Sequence, residues 1–341
     1  MTRDWGAMID RKNNLKPTII PLLFAIAAVI VAYFHDTFEE WDGVMQLFAG
    51  REIFQGLGYQ GWTSHFWPPL YSFLVGLLDL FIDGFWAAKI VSIISGSILL
   101  YVVYKFAVFL TSNSKVGILS QAFLALNPLY FLSTIQAENH MLDSLFFVTG
   151  LFLLLRAVEN RSTRSFIIVG IIFALACLSR YTSYILLPLA LIIVFLSFNL
   201  KNAIKMSLAF LLPFLVVSLP WYYVNMVNNG SPLFTWQYMN IGSAVVDSNH
   251  FRWWWLTQAK YNGIQDIIVS HPIPYLKNFL MNCIRSGVII LISAKVLAPA
   301  VFPALFDGFI NMKSKLFFPL IGGLFLFVVL VSQAFVFDQV F

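Results

Sequence analysis

Apolar runs near the length of a bilayer core recur along this chain and constrain its fold more than any other feature. A helix needs roughly 20 apolar residues to cross the hydrocarbon region. Runs of that order occupy much of the 341 residues, of which 60% are hydrophobic, and the mean hydropathy is +0.81. Such a chain cannot stay soluble, so the expected fold is an all-α polytopic membrane protein. The first run, residues 17–34, follows a head containing Arg3, Arg11, Lys12 and Lys16. No small-residue cleavage site follows a short apolar core, so this run is expected to stay as an anchor.

The net charge of +5 raises nucleic acid as a partner. The basic residues stand singly in short loops between apolar runs, however, so they serve as topology signals and no nucleic acid is expected. Cys177 and Cys283 lie in apolar surroundings and imply no disulfide framework.

Orientation turns on residues 68–82, an apolar stretch that contains Asp79 and is followed at once by Asp83. It is short for a span. If it lies on the surface, the spans are residues 17–34, 87–110, 116–134, 143–155, 165–179, 182–198, 206–224, 287–306 and 317–336, about nine helices in all. Lys105, Lys115, Arg156, Arg161, Arg164, Lys201, Lys205, Lys313 and Lys315 then share the cytoplasmic side with the N-terminus. The outer side keeps only Arg51, Lys89, Arg180, Arg252, Lys260 and Lys277. The implied organisation is a cytoplasmic N-terminus (1–16), a transmembrane module (17–235) with an outer loop at 35–86, and an outer loop with C-terminal helices (236–341).

The outer loop holds an unusual density of acid. Asp36, Glu39, Glu40 and Asp42 fall within seven residues of a chain that is only 11% charged. Thr37 to Glu40 has the spacing of a capping box, which gives Glu40 a structural task and leaves Asp42 uncommitted. On the helix so begun, Trp41, Val44, Met45 and Phe48 form one stripe, with Asp42 and Gln46 beside each other on another. This is the pattern of a helix lying on the membrane surface. Glu138, His140 and Asp143, the Arg180 turn and the aromatic loop 225–275 are expected on the same side.

The order of these features resembles the polyprenyl-phosphate-dependent membrane glycosyltransferases of the GT-C class. The similarity is to the family containing protein O-mannosyltransferases and aminoarabinose transferases. It rests on Asp42 to Ala49 running on to Gly56-Leu57-Gly58-Tyr59, on Phe66-Trp67-Pro68-Pro69-Leu70-Tyr71, and on Asn127-Pro128 followed by Asp143. Leu178-Ser179-Arg180, Leu219-Pro220-Trp221 to Asn225, and Gly230-Ser231-Pro232 complete it. Gln46 stands where the family commonly has tyrosine, and Val224 where arginine commonly precedes the asparagine.

The resemblance implies a GT-C-like helix bundle in a bacterial plasma (inner) membrane, with its active site on the outer face. It also implies a polyprenyl-phosphate sugar as donor and a lipid, glycan or protein as acceptor, among membrane lipids. Transfer to a hydroxyl needs a base, and a carboxylate near lipid can titrate close to working pH. Asp42 is the expected base; the alternative is a solvated cluster that starts a helix. Asp143 is expected as a second acid that positions sugar or acceptor, with a plain N-cap as the alternative. Arg180 is expected to hold the donor phosphate bidentately, or else to snorkel to the interface. Glu40, Glu138, His140 and His65 are supporting residues. No metal motif is present, although the spacing of Glu138, His140 and Asp143 could take a divalent cation. A non-enzymatic transporter or flippase of lipid-linked glycans is the rival, but it should place ionisable groups near span centres along a path.

Overall fold

The computed structural model describes residues 16–35, 41–59, 64–239, 242, 245 and 261–281. Asp36, Glu39, Glu40 and the two C-terminal spans expected at 287–306 and 317–336 lie outside the described residues. Among those described the chain is helical throughout, with no strand. Its helices are α1 (Lys16–Phe34), α2 (Trp41–Phe54), α3 (Leu70–Asp79), α4 (Gly84–Thr111), α5 (Ser114–Ala125), α6 (Pro128–Ile135), α7 (His140–Asn160), α8 (Thr163–Ser179), α9 (Leu186–Ser197), α10 (Leu200–Asn229) and α11 (Ile264–Ser270).

Four of these, α1 from Pro17, α4, α7 and α10, are long and apolar enough to cross a membrane. Counting α5 and α6, bent by 65° at their break, as one span gives five. Nine spans are therefore not reached among the described residues, partly because α8 and the segment Tyr181–Ser197 fall short of full span length. The bend has a local cause. α5 ends with Leu126 at its C-cap, and Asn127 caps α6, its side chain accepting from the amides of Leu129 (2.9 Å) and Tyr130 (3.3 Å), while Pro128 takes the first helical position.

Residues 68–82 do not form a span. They supply the ten-residue helix α3, and the chain re-enters the bundle at α4, where Asp83 accepts from the Phe85 amide at 3.0 Å. Lys89, in the second turn of α4 and only 2% exposed, donates to the carbonyls of Ala32 (3.2 Å) and His35 at the C-terminus of α1. An ammonium there answers the orphan carbonyls and the negative end of the helix dipole. The pairing fixes the end of α1 beside the start of α4, so α2 and α3 both belong to that same end of the bundle.

The main core is built by α7, α8, α9 and α10, with Phe166, Phe173, Leu154, Leu186 and Phe210 fully buried. At the end away from α2, the basic turns gather. Arg161 ends α7 in the left-handed region (φ 51°) and its guanidinium lies 5.6 Å from the Phe198 ring in the α9–α10 turn.

α2 packs on α3 through glycine. A Cβ at Gly50 would lie 2.3 Å from the Ser72 carbonyl oxygen, and one at Gly76 would lie 2.4 Å from that of Gly50, so the two backbones touch. Arg51 then clamps Asp79 with two parallel bonds, Nε to Oδ2 at 2.6 Å and Nη2 to Oδ1 at 3.0 Å. The buried side of α2 is Gly43, Gln46, Leu47, Ala49 and Gly50, while Trp41 and Phe48 face outward. Asp42 and Gln46 do not share a polar face as expected from the sequence. Asp42 is exposed at the helix start and Gln46 is 1% exposed inside the packing.

Candidate active site

Three chain segments bring the predicted chemistry to one end of the bundle: the start of α2, the turn before α7 and the turn after α8. Leu47 of α2 packs in one apolar cluster with Ala137 and Leu142, which flank the Glu138–His140 segment. Tyr71 of α3 donates to the Ala88 carbonyl at 3.0 Å and lies 3.3 Å from Ser92 Oγ, which in turn donates to the Glu138 carbonyl at 2.8 Å. The PPLY tyrosine thus reaches through α4 to the segment that carries the second set of acids.

Within that segment the side chains form a relay. Glu138 is buried, and its Oε2 lies 2.5 Å from His140 Nε2, while the other imidazole nitrogen, Nδ1, faces Arg180 Nη1. A guanidinium can only donate, so His140 Nδ1 is the acceptor and Nε2 carries the proton given to Glu138. Asn139 donates to the Ser179 carbonyl at 3.0 Å, tying the start of α7 to the end of α8. Arg180 is therefore held from behind by a histidine that is itself held by a glutamate. Asp143 accepts from Ser183 Oγ at 2.5 Å. It does not cap α7, which begins at His140 with Asn139 in the cap position, so the helix-capping alternative is removed. Among the described residues no group of three or more His, Cys, Asp or Glu side chains is arranged to hold a metal ion. The Glu138–His140–Asp143 spacing is instead spent on a histidine–glutamate pair and a serine contact.

A second set of polar groups sits beside the first in an aromatic setting. His65, 2% exposed, stacks on Trp221 with ring centroids 5.5 Å apart and planes 22° apart, and its Nδ1 lies 2.8 Å from Asn225 Oδ1. Burial lowers the His65 pKa below its ordinary value, opposed by the bond to Asn225. Tyr59 meets Trp221 edge to face at 5.3 Å, and burial raises its pKa. Asn225 donates to the carbonyls of Pro232 (3.2 Å) and Phe234 (3.3 Å), folding the chain after α10 back over the first loop. Gln237 completes the dock by donating to the Phe66 carbonyl at 2.9 Å.

Of the residues predicted from sequence, Glu138, His140 and Arg180 are joined directly, and Asp143 stands one turn further along α7. Asp42 is on the helix that packs against this group. His65 belongs to the aromatic set, and Glu40 lies outside the described residues. The sequence did not single out Ser183, Gln46 or the Tyr59–Trp221–Asn225 set as site groups. Trp221 and Asn225 were nevertheless visible in the Pro-Trp-x3-Asn pattern.

Residues 67–223 match the dolichyl-phosphate-mannose-protein mannosyltransferase family. That stretch contains Tyr71, Glu138, His140, Asp143, Arg180 and Trp221, and it begins after Asp42. No curated protein matches the chain. Among solved structures, the chain is similar to the archaeal oligosaccharyltransferase AglB from Archaeoglobus fulgidus in complex with an inhibitory peptide and a dolichol-phosphate, at TM-score 0.47 and 12% identity, covering 92% of this chain. The chain spans half of that protein, 50% of its length.

Proposed function

We propose that the chain is a glycosyltransferase that moves a sugar from a polyprenyl-phosphate carrier to an acceptor hydroxyl at the α2 end of the bundle, on the non-cytoplasmic side. The observation that carries this reading is the Arg180–His140–Glu138 relay. It directs a guanidinium to the end of the bundle where a lipid-borne phosphate would arrive, and it lies within the family match. In the reaction, the bond between the anomeric carbon and the phosphate oxygen breaks, and the phosphate leaves with the electron pair. The acceptor oxygen forms the new bond to that carbon while Asp42 takes the hydroxyl proton. Arg180 neutralises charge growing on the leaving phosphate. Asp143, fixed by Ser183, positions sugar or acceptor.

The test is incubation of the purified protein with polyprenyl-phosphate sugars and a membrane extract, following by mass spectrometry which molecule gains a sugar. A hexose or pentose increment on an extract component, dependent on the lipid donor, is the expected result. Movement of the lipid across vesicles without any mass gain would assign the chain to transport instead.

A further inference from the structure

The roles proposed for Arg180 and Asp42 cover phosphate and proton but leave the aromatic set without a task. Three buried side-chain atoms in this set and against it have no hydrogen-bond partner: His65 Nε2, Trp221 Nε1 and the hydroxyl of Tyr181, which packs against the cluster that holds Tyr59 and Trp221. Leaving one such group buried and unsatisfied typically costs about 1–3 kcal/mol, so three in one place call for a ligand or water. They are neighbours. His65 and Trp221 stack, and the Tyr181 hydroxyl approaches Trp221, Asn225 and Thr235 without hydrogen-bond geometry to any of them.

Their roles can be assigned from the surrounding bonds. Asn225 gives its amide hydrogens to the carbonyls of Pro232 and Phe234, so its oxygen faces His65. Nδ1 of His65 must then carry the proton, which leaves a lone pair on Nε2. Asn229 Nδ2 lies 3.2 Å from the same Nδ1, and a half-turn of that amide would bring its oxygen to the Nδ1 proton. The set therefore offers one acceptor at His65, one obligate donor at Trp221 and one group of either kind at Tyr181, with the rings of Tyr59 and Phe234 packed edge to face against His65.

We propose that His65, Trp221 and Tyr181 form a subsite for the hydroxyl groups of an uncharged sugar ring, distinct from the phosphate contact at Arg180. A hydroxyl donates and accepts at once, matching an acceptor next to a donor. Phosphate oxygens only accept, and would face the His65 lone pair. Aromatic rings such as Tyr59 and Phe234 beside these groups suit the C–H faces of a sugar ring. The assignment rests on the glycosyltransferase reading for the source of the sugar, which is either the lipid donor or the acceptor glycan.

The experiment uses the full chain in detergent and two conservative variants. His65→Asn keeps an N–H near the Nδ1 position for Asn225 but removes the Nε2 lone pair, and Trp221→Phe keeps the stack but removes the N–H. Binding is titrated with three probes: dolichyl-phosphate mannose, sugar-free dolichyl phosphate, and a panel of methyl hexosides and pentosides. The wild type should bind a sugar-bearing probe with a contribution that either variant reduces by about tenfold or more, with unchanged affinity for sugar-free dolichyl phosphate. Loss confined to the lipid-linked sugar identifies the donor as source, and loss confined to a methyl glycoside identifies the acceptor. Equal binding of all probes by wild type and both variants, or no sugar-dependent binding in any arm, overturns the subsite and leaves the orphan atoms to buried water. If neither dolichyl lipid binds but a methyl glycoside does and the variants lose it, the subsite stands and the donor reading falls. Lipid binding indifferent to the sugar, with no methyl glycoside bound, has the opposite meaning: the donor reading stands and the subsite falls.

Discussion

The glycine contact between α2 and α3 predicts a defect that links packing to chemistry. In Gly50→Ala the new methyl would sit 2.3 Å from the Ser72 carbonyl oxygen and 2.9 Å from the Gly76 nitrogen, where real contacts essentially never fall below 3.0 Å. Both obstacles are backbone, so no side-chain rotation relieves them. The helices must part by at least about 0.7 Å, and overpacking of this kind costs about 1–3 kcal/mol. Because α2 carries Asp42, the same movement shifts the proposed base by a comparable amount, and misplacement near 1 Å can cost about 100-fold in rate. The assay is thermal unfolding of the detergent-purified protein beside initial rates of sugar transfer, with Gly263→Ala as control, since a Cβ there meets nothing within 4 Å. Gly50→Ala should lose both stability and more than about tenfold in transfer, while the control keeps both. Native unfolding temperature in Gly50→Ala would refute the backbone contact. Lowered stability with native transfer would show that the chemistry does not depend on where α2 sits.

Three further outcomes follow from the same geometry. Arg180→Ala should weaken use of the lipid donor more than Arg180→Lys, measured as the donor KM, because lysine keeps the charge but loses the planar fork; equal, near-native values would return Arg180 to snorkelling. His65 has a folded-state pKa below its unfolded value near 6.5, so the stability it contributes is fully present above about pH 6.5 and is lost as pH falls through the lowered value. Unfolding temperatures at pH 7.5 and pH 5 should differ less in His65→Asn than in wild type, and an unchanged acid sensitivity would contradict the buried neutral imidazole. Cysteine labels at Leu57, exposed in the first loop, should be reachable from outside intact cells, whereas labels at Ser162 and Asn202 should not; outside access at Ser162 would invert the bundle.

What the sequence disclosed and what it hid follow physical lines. Apolar length revealed α1, α4, α7 and α10 because a bilayer imposes one length scale on every spanning helix. The shortness of residues 68–82 revealed α3 for the same reason. Pattern failed on α2. In a membrane the large apolar residues can face lipid, so Trp41 and Phe48 point away from the packing while Gly43, Gly50 and the buried Gln46 make it. A hydrophobic stripe could not show this. The start of α7 was misplaced by three residues because Asp-Ser resembles a cap, whereas Asn139 takes that position and spends its amide on Ser179. Pairings such as His140 with Arg180 and His65 with Asn225 span 40 and 160 residues of sequence, and no local spacing carries them.

The central claim is that Asp42 removes a proton during sugar transfer, and one substitution tests it most directly. Asp42→Asn keeps the size of the side chain while removing the carboxylate that accepts the proton, and a base of this kind contributes about 100-fold to 10,000-fold in rate. With purified protein at matched levels and unfolding temperatures, transfer from a polyprenyl-phosphate sugar should fall by that range in Asp42→Asn. Glu40→Gln should remain near wild type, since an amide can complete the capping box that the spacing of Thr37 and Glu40 predicts. Retention of most of the transfer rate by Asp42→Asn would contradict the account and move the search for the base to Asp143.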